Sequence, residues 1–169
     1  MTTKITIDKH LAEYCIGKWG DEETKIVSFP TNTDLYITIF DLLMKRPVKY
    51  QTDVGTLEIK IPVRRANDEY GFRKNPEIYN FISKRGCTTL NKRIRNLMWA
   101  EFHGIMEDIN HRPSELDFEC IFNIEIVHWF RCKYMIESIS EDAFLKNYYR
   151  WREVLRRRKK RAYEKKKNT

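Results

Sequence analysis

The segment TTLNKRIRNLMWAEFHGIMEDI, residues 88–109, decides the fold class. Its apolar side chains recur every three or four residues, as on one face of an α-helix. They are Leu90, Ile94, Leu97, Met98, Phe102, Ile105 and Ile109. A long helix with such a stripe buries it against other helices, so the segment predicts a helical bundle. Thr88 or Thr89 is the expected start of this helix.

Three further helices are predicted beside this one. Asn75 to Glu77 combine a cap, a proline and an acid, which is typical of a helix start, and Gly86 is the expected end of that helix. A helix over about 115–135 is rich in apolar side chains. Residues 138–141 match the Ser-x-x-Glu capping box and predict a final helix from about 140 into the 160s.

The N-terminal part of the chain predicts a short β-α-β-α-β unit. Alternation of polar and apolar residues indicates three short strands, near 4–7, 25–29 and 57–61. Asp8 is expected to cap a helix that ends at Trp19, with Gly20 as its stop signal. Thr33 or Asn32 is expected to cap the second helix.

The predicted class is therefore α+β and predominantly helical. It consists of a short β-α-β-α-β unit over 1–62, a connector over 63–74, and a helical bundle with a long basic C-terminal helix over 75–169. The connector contains Tyr70 and Phe72, so one compact domain is the alternative. With 41% hydrophobic residues, the chain lacks the composition of a disordered protein.

Positive charge is concentrated in two regions of the chain. The formal net charge is +8, and residues 145–169 hold twelve Lys or Arg against two acids. Residues 60–95 hold ten against three, so the remainder of the chain is net acidic. Net charge concerns partners and solubility more than fold, and its segregation here predicts a negatively charged partner.

The final helix has two chemically different faces. On a helical wheel, Phe144, Tyr148, Trp151 and Leu155 fall within about 60°, which predicts a face docked on the core. The opposite side carries Lys146, Arg150, Arg157 and Arg161. Arginine binds phosphate through a planar fork of donors. Six adjacent cations at 156–161, RRRKKR, repel one another unless an anion lies nearby.

These features favour a non-enzymatic nucleic-acid-binding protein, with DNA favoured over RNA, of the kind that regulates or assists mobile DNA. The residues predicted to contact phosphate lie in both basic regions: Lys146, Arg150, Arg156, Arg157, Arg158, Lys159, Lys160, Arg161, Lys84, Arg85, Lys92, Arg93 and Arg95. The last two helices could form a helix-turn-helix. Its second helix would begin with Glu141 and Asp142, which favours backbone contact over base readout.

Two other function classes stay open. In the first, the basic tail binds an acidic protein or another copy of this chain, which would make it a homo-oligomer. In the second, Asp53, Glu58 and Lys60 resemble the Asp…Glu-x-Lys pattern of metal-dependent nucleases. The Asp lies only five residues before the Glu, so alternating polar residues on the wet side of a strand explain the pattern more simply.

Neither metal nor cofactor is predicted. Glu101, His103, Glu107 and Asp108 share the long helix, and their favoured interpretation is a solvated acidic face. His111, His128 and Cys132 would be metal ligands only if the fold gathered them. No phosphate loop, nucleophile elbow or dinucleotide fingerprint occurs, since all six glycines are isolated.

The cysteine and hydropathy patterns predict a cytoplasmic protein without a membrane partner. Cys15, Cys87, Cys120 and Cys132 are too widely spaced for a CxxC pair and are expected to be reduced, buried small hydrophobes. The first ten residues lack the apolar core of a signal peptide. No apolar run approaches the ~18 residues of a membrane helix.

Overall fold

The structure is a computed structural model that describes residues 1–48, 54–64, 73–110 and 123–167. Within these residues, nine elements follow one another: β1 Thr2–Ile5, α1 Lys9–Trp19, α2 Asp34–Leu42, β2 Met44–Lys45, β3 Leu57–Lys60, β4 Tyr79–Phe81, α3 Lys84–Asn110, α4 Asn123–Lys133 and α5 Glu141–Lys167. Five helices with two small two-stranded sheets confirm the predicted, predominantly helical α+β class.

Both sheets are antiparallel pairs. Strand β1 pairs with β3, with Ile5 opposite Leu57, and β2 pairs with β4 across a register shift. The strand predicted near 25–29 is wrong, because only Val27 pairs, with Gly20 on one side and Ile59 on the other. Lys25 adopts a left-handed φ of 58° and takes part in a turn, which leaves no extended run to pair.

The helix predicted from Asn75 to Gly86 is also wrong. The Asn75 side chain accepts a hydrogen bond from the Glu77 backbone N–H at 2.9 Å and closes a turn, after which β4 begins. Gly86 lies in the first turn of α3 and does not end a helix. A Cβ at Gly86 would lie 2.7 Å from Ile82 Cγ2, so the glycine allows close packing there. Thr88 is a helical residue of α3, and its hydroxyl donates to the carbonyl of Lys84.

The helices of the predicted N-terminal unit share a core with the predicted bundle. One cluster of buried hydrophobic side chains includes Leu11 of α1, Ile39 of α2 and Leu90 of α3. Gly17 of α1 meets the backbone of Tyr134, since a Cβ there would lie 2.4 Å from the Tyr134 carbonyl oxygen. Residues 65–72 of the predicted connector lie outside the described residues.

The last two helices are joined by residues 134–140. The first half of the helix predicted over 115–135 lies outside the described residues, and α4 covers the second half. Ser140, and not Ser138, caps α5, because its hydroxyl accepts a hydrogen bond from the Ala143 N–H at 3.3 Å. The predicted capping box is therefore wrong: the Ser138 hydroxyl donates to Glu13 at 2.7 Å instead.

Candidate nucleic-acid interface

Two aromatic residues anchor α5 in the core, as the helical wheel predicts. Phe144 is fully buried, with its ring centroid 4.9 Å from that of Phe102. Tyr148 is also fully buried, and its hydroxyl donates to Glu107 at 2.6 Å. Trp151 is partly buried and stacks on His103 with centroids 4.4 Å apart. The docking face is thus confirmed at these positions.

The side of α3 that carries Glu101, His103 and Glu107 is covered by other elements, so its predicted solvation is wrong at these positions, whereas Asp108 is exposed as predicted. Glu101 accepts hydrogen bonds from the hydroxyls of Tyr14 and Tyr134 and from the Lys18 ammonium group. These partners come from α1 and from the turn after α4. Their contact holds the pKa of Glu101 below its usual value although burial opposes that shift. The carboxylate therefore joins three parts of the fold.

His103 is enclosed between α3 and α5. The side chain is 7% exposed, and its Nε2 lies 2.8 Å from the amide oxygen of Asn147. Burial lowers the pKa of His103 below its usual value. Burial also lowers the pKa of His10 in α1. Both imidazoles are therefore favoured in the neutral form when the protein is folded.

This burial predicts a loss of stability in mild acid. The unfolded chain takes up protons on these imidazoles near pH 6.5, whereas the folded protein resists protonation. Their contribution to the free energy of unfolding should be full above about pH 7 and fall as the pH drops through the lowered folded pKa. Denaturant titrations at pH values from 7.5 to 5 give the free energy of unfolding at each pH. This free energy should fall less steeply with decreasing pH in the double variant His103→Gln, His10→Gln than in the parent. An equal slope in parent and variant would contradict this assignment.

The cations of α5 differ in their partners. Lys146 pairs with Asp142 at 2.6 Å, and Arg157 pairs with Glu153 at 2.9 Å. Within the part of the chain that the structure describes, seven others have neither an ion-pair nor a hydrogen-bond partner for their side chains: Arg150, Arg156, Arg158, Lys159, Lys160, Arg161 and Lys167. Five of these seven lie in the RRRKKR segment.

The RRRKKR segment lies beyond the anchored part of the helix. Every side chain from Arg156 to Glu164 is exposed. Arg152, which precedes the segment, belongs to the packed part, since its Nε lies 3.5 Å from a Glu107 oxygen. The boundary between packed helix and free cationic helix thus falls close to Leu155.

The second basic region is a separate surface on α3. Lys84, Arg85, Lys92 and Arg93 are exposed, while Arg95 pairs with Asp8. The predicted helix start at Thr88 and Thr89, which would have offered a phosphate site, does not exist, because α3 begins at Lys84.

The structure does not bring the two basic regions together. Phe144 packs on Trp99, and Arg152 reaches Glu107, so α5 advances toward the C-terminal end of α3. Lys92 lies about 22 Å before Glu107 along α3, from the helical rise. A short ligand bound at the end of α5 would not reach the cations at the start of α3.

The start of α5 is occupied by contacts with α4. Arg131 donates to Glu141 at 3.0 Å, and His128 Nδ1 lies 3.0 Å from the same oxygen. The helix-turn-helix formed by α4 and α5 stays a prediction. Glu141 and Asp142 at the start of α5 still favour contact with the DNA backbone over contact with the bases.

The alternative nuclease pattern stays a prediction, because one of its three residues is not described. Asp53 lies outside the described residues, and Glu58 accepts a hydrogen bond from the Thr2 hydroxyl at 2.6 Å. In the described ranges, no group of three or more His, Cys, Asp or Glu side chains could hold a metal ion. His111 lies outside those ranges.

The cysteines follow the prediction at two positions. Cys15 and Cys87 are buried, whereas Cys132 is exposed, so its predicted burial is wrong. Cys132 lies on the side of α4 that faces solvent. Cys120 lies outside the described residues.

Comparisons with known proteins do not assign a function to this chain. No protein-family model matches the sequence, and neither a curated protein nor a solved structure shows significant similarity to it. Among the helices of the described ranges, none combines the length and the apolar character needed to cross a membrane.

Proposed function

We propose that the protein binds nucleic acid without catalysing a reaction, with duplex DNA favoured over RNA, through the exposed part of α5. The observation that carries this proposal is the RRRKKR segment. Its six side chains are all exposed, and five of them lack partners among the described residues. Six like charges held side by side on a helix are unfavourable without a polyanion, and a phosphate backbone supplies that charge.

The arrangement of these cations supports binding of α5 in a groove of the duplex. Successive residues of a helix are rotated by about 100°, so residues 156–161 point to all sides of α5. A helix in the major groove of B-DNA has a phosphate backbone on each side, and that groove is wide enough to admit it. The major groove of A-form RNA is too narrow for side chains to read. This difference is the reason for favouring DNA.

The anchored part of α5 supports the same proposal. Phe144 and Tyr148 hold the helix at a fixed position on the core, so the exposed end is presented as a continuation of a packed element. The α3 cations would join the contact only on a duplex long enough to span the separation of the two basic regions. The proposal places the protein in the cytoplasm, where its thiols stay reduced.

The test compares two variants with the same change in net charge. Replacing Arg156, Arg158 and Arg161 with Gln should weaken duplex binding by about 10²–10³-fold at 0.1 M salt, because each lost phosphate contact costs about 0.9 log units there. Gln keeps good helix propensity, so folding should be unaffected. Affinity is measured by fluorescence anisotropy on a labelled duplex.

The matched control replaces three exposed lysines outside both basic regions, Lys9, Lys25 and Lys45, with Gln. This variant should bind within about threefold of the parent, since distant exposed charges are screened. Equal losses in the two variants would mean that net charge alone attracts the duplex. Unchanged binding in the α5 variant would refute the proposed site.

A further inference from the structure

Three side chains near the start of α5 form a thiol–imidazole–carboxylate chain. Cys132 Sγ lies 3.5 Å from His128 Nε2, and His128 Nδ1 lies 3.0 Å from Glu141 Oε1. His128 and Cys132 are four residues apart on α4, which places them on one face of the helix. Glu141 is the first residue of α5 and closes the chain from the other helix.

The carboxylate determines which imidazole nitrogen carries the proton. An ionised carboxylate only accepts hydrogen bonds, so His128 Nδ1–H donates to Glu141, and Nε2 is left to accept the S–H proton. Arg131 donates to the same oxygen at 3.0 Å. The hydrogen bond from His128, with the charge of Arg131, holds the pKa of Glu141 below its usual value. The arrangement suits transfer of the thiol proton to the imidazole.

The thiol is also accessible. Cys132 is exposed and forms no disulfide, and the His128 side chain is 68% exposed. Cys15 and Cys87 are free but buried, at 0% and 9% exposure. Among the cysteines that the structure describes, Cys132 alone combines access with a base.

We propose that Cys132 is a modification site that exchanges with small disulfides of the glutathione class. The Sγ–H proton moves to His128 Nε2, and the thiolate attacks one sulfur of the disulfide. A new Sγ–S bond forms as the S–S bond breaks, and the departing thiolate takes the proton from His128. Cys132 is oxidised to a mixed disulfide, and one molecule of small thiol is released. This site is independent of the proposed nucleic-acid surface.

The test uses the full chain with Cys120→Ser, treated with oxidised glutathione in the presence of EDTA. Peptide mass spectrometry follows each remaining cysteine with time. Cys132 should form the mixed disulfide at least about tenfold faster than Cys15 or Cys87, because reaction requires an accessible thiolate. Comparable rates at all three thiols would overturn the proposal.

Variants separate the base from general electrostatics. His128→Ala should slow the reaction of Cys132 by about tenfold, because the thiol loses its proton acceptor. Glu141→Gln should slow it less, because the amide oxygen still accepts the Nδ1–H bond. Lys133→Gln, which removes a neighbouring exposed cation but no proton acceptor, is the matched control and should slow the reaction by less than about threefold, because interactions between exposed charges are weak. An unchanged rate in His128→Ala, or an equal loss in Lys133→Gln, would overturn the role of the imidazole.

Discussion

A chain truncated after Leu155 should lose more than about 10³-fold in duplex affinity at 0.1 M salt while melting within about 2 °C of the parent. The truncation removes nine Lys or Arg residues. Exposed side chains contribute little to the free energy of unfolding, often under about 0.5 kcal/mol each. Fluorescence anisotropy gives the affinity, and calorimetry gives the melting temperature.

A chain that lacks only residues 168–169 is the control for truncation itself and should bind as the parent does. Two results would count against the account. If the truncated chain unfolds or aggregates, the RRRKKR segment belongs to the core. If it binds as tightly as the parent, the phosphate contacts lie elsewhere.

Replacing Phe144 with Ala should cost about 3–5 kcal/mol in the free energy of unfolding. The ring is fully buried and lies 4.9 Å from Phe102 and 5.8 Å from Phe130, so its removal opens a cavity between three helices. Denaturation with guanidinium chloride measures the cost. At a temperature where the variant is folded, its salt dependence of binding should resemble that of the parent.

Tyr163→Ala on the same helix is the matched control, because Tyr163 is 70% exposed. It should cost less than about 0.5 kcal/mol. A similar loss of stability in both variants would mean that α5 is stabilised along its whole length, and the boundary at Leu155 would be wrong.

The sequence predicted the elements that depend on local periodicity and capping. Thr33 caps α2 as expected, and Phe144 and Tyr148 are buried, because a 3.6-residue repeat decides which side of a helix meets the core. The sequence alone does not decide the role of Asn75, because the same side chain caps helices and closes turns. The pairing of β4 with β2 decides between these roles, and these two strands are far apart in the sequence.

The surroundings of the candidate site could not be predicted in the same way. The RRRKKR segment is visible in the sequence, but its distance from the α3 cations depends on how α5 crosses α3. The sequence does not reveal the hydrogen-bond partners of Glu101, because Tyr14 and Tyr134 are 87 and 33 residues away. The pair His128 and Cys132 does have a sequence signal, its four-residue spacing, but the third member comes from α5.

The proposed phosphate contact by α5 is tested most directly by the affinity of the parent for duplex DNA as salt is varied. Six to ten phosphate contacts predict a loss of about 10³–10⁵ in affinity between 50 and 200 mM salt, because binding releases condensed counterions. The α5 variant with Arg156, Arg158 and Arg161 replaced by Gln should lower the slope by about 2.7 in log–log units. An affinity of the parent that stays constant over this range would contradict the proposed contact.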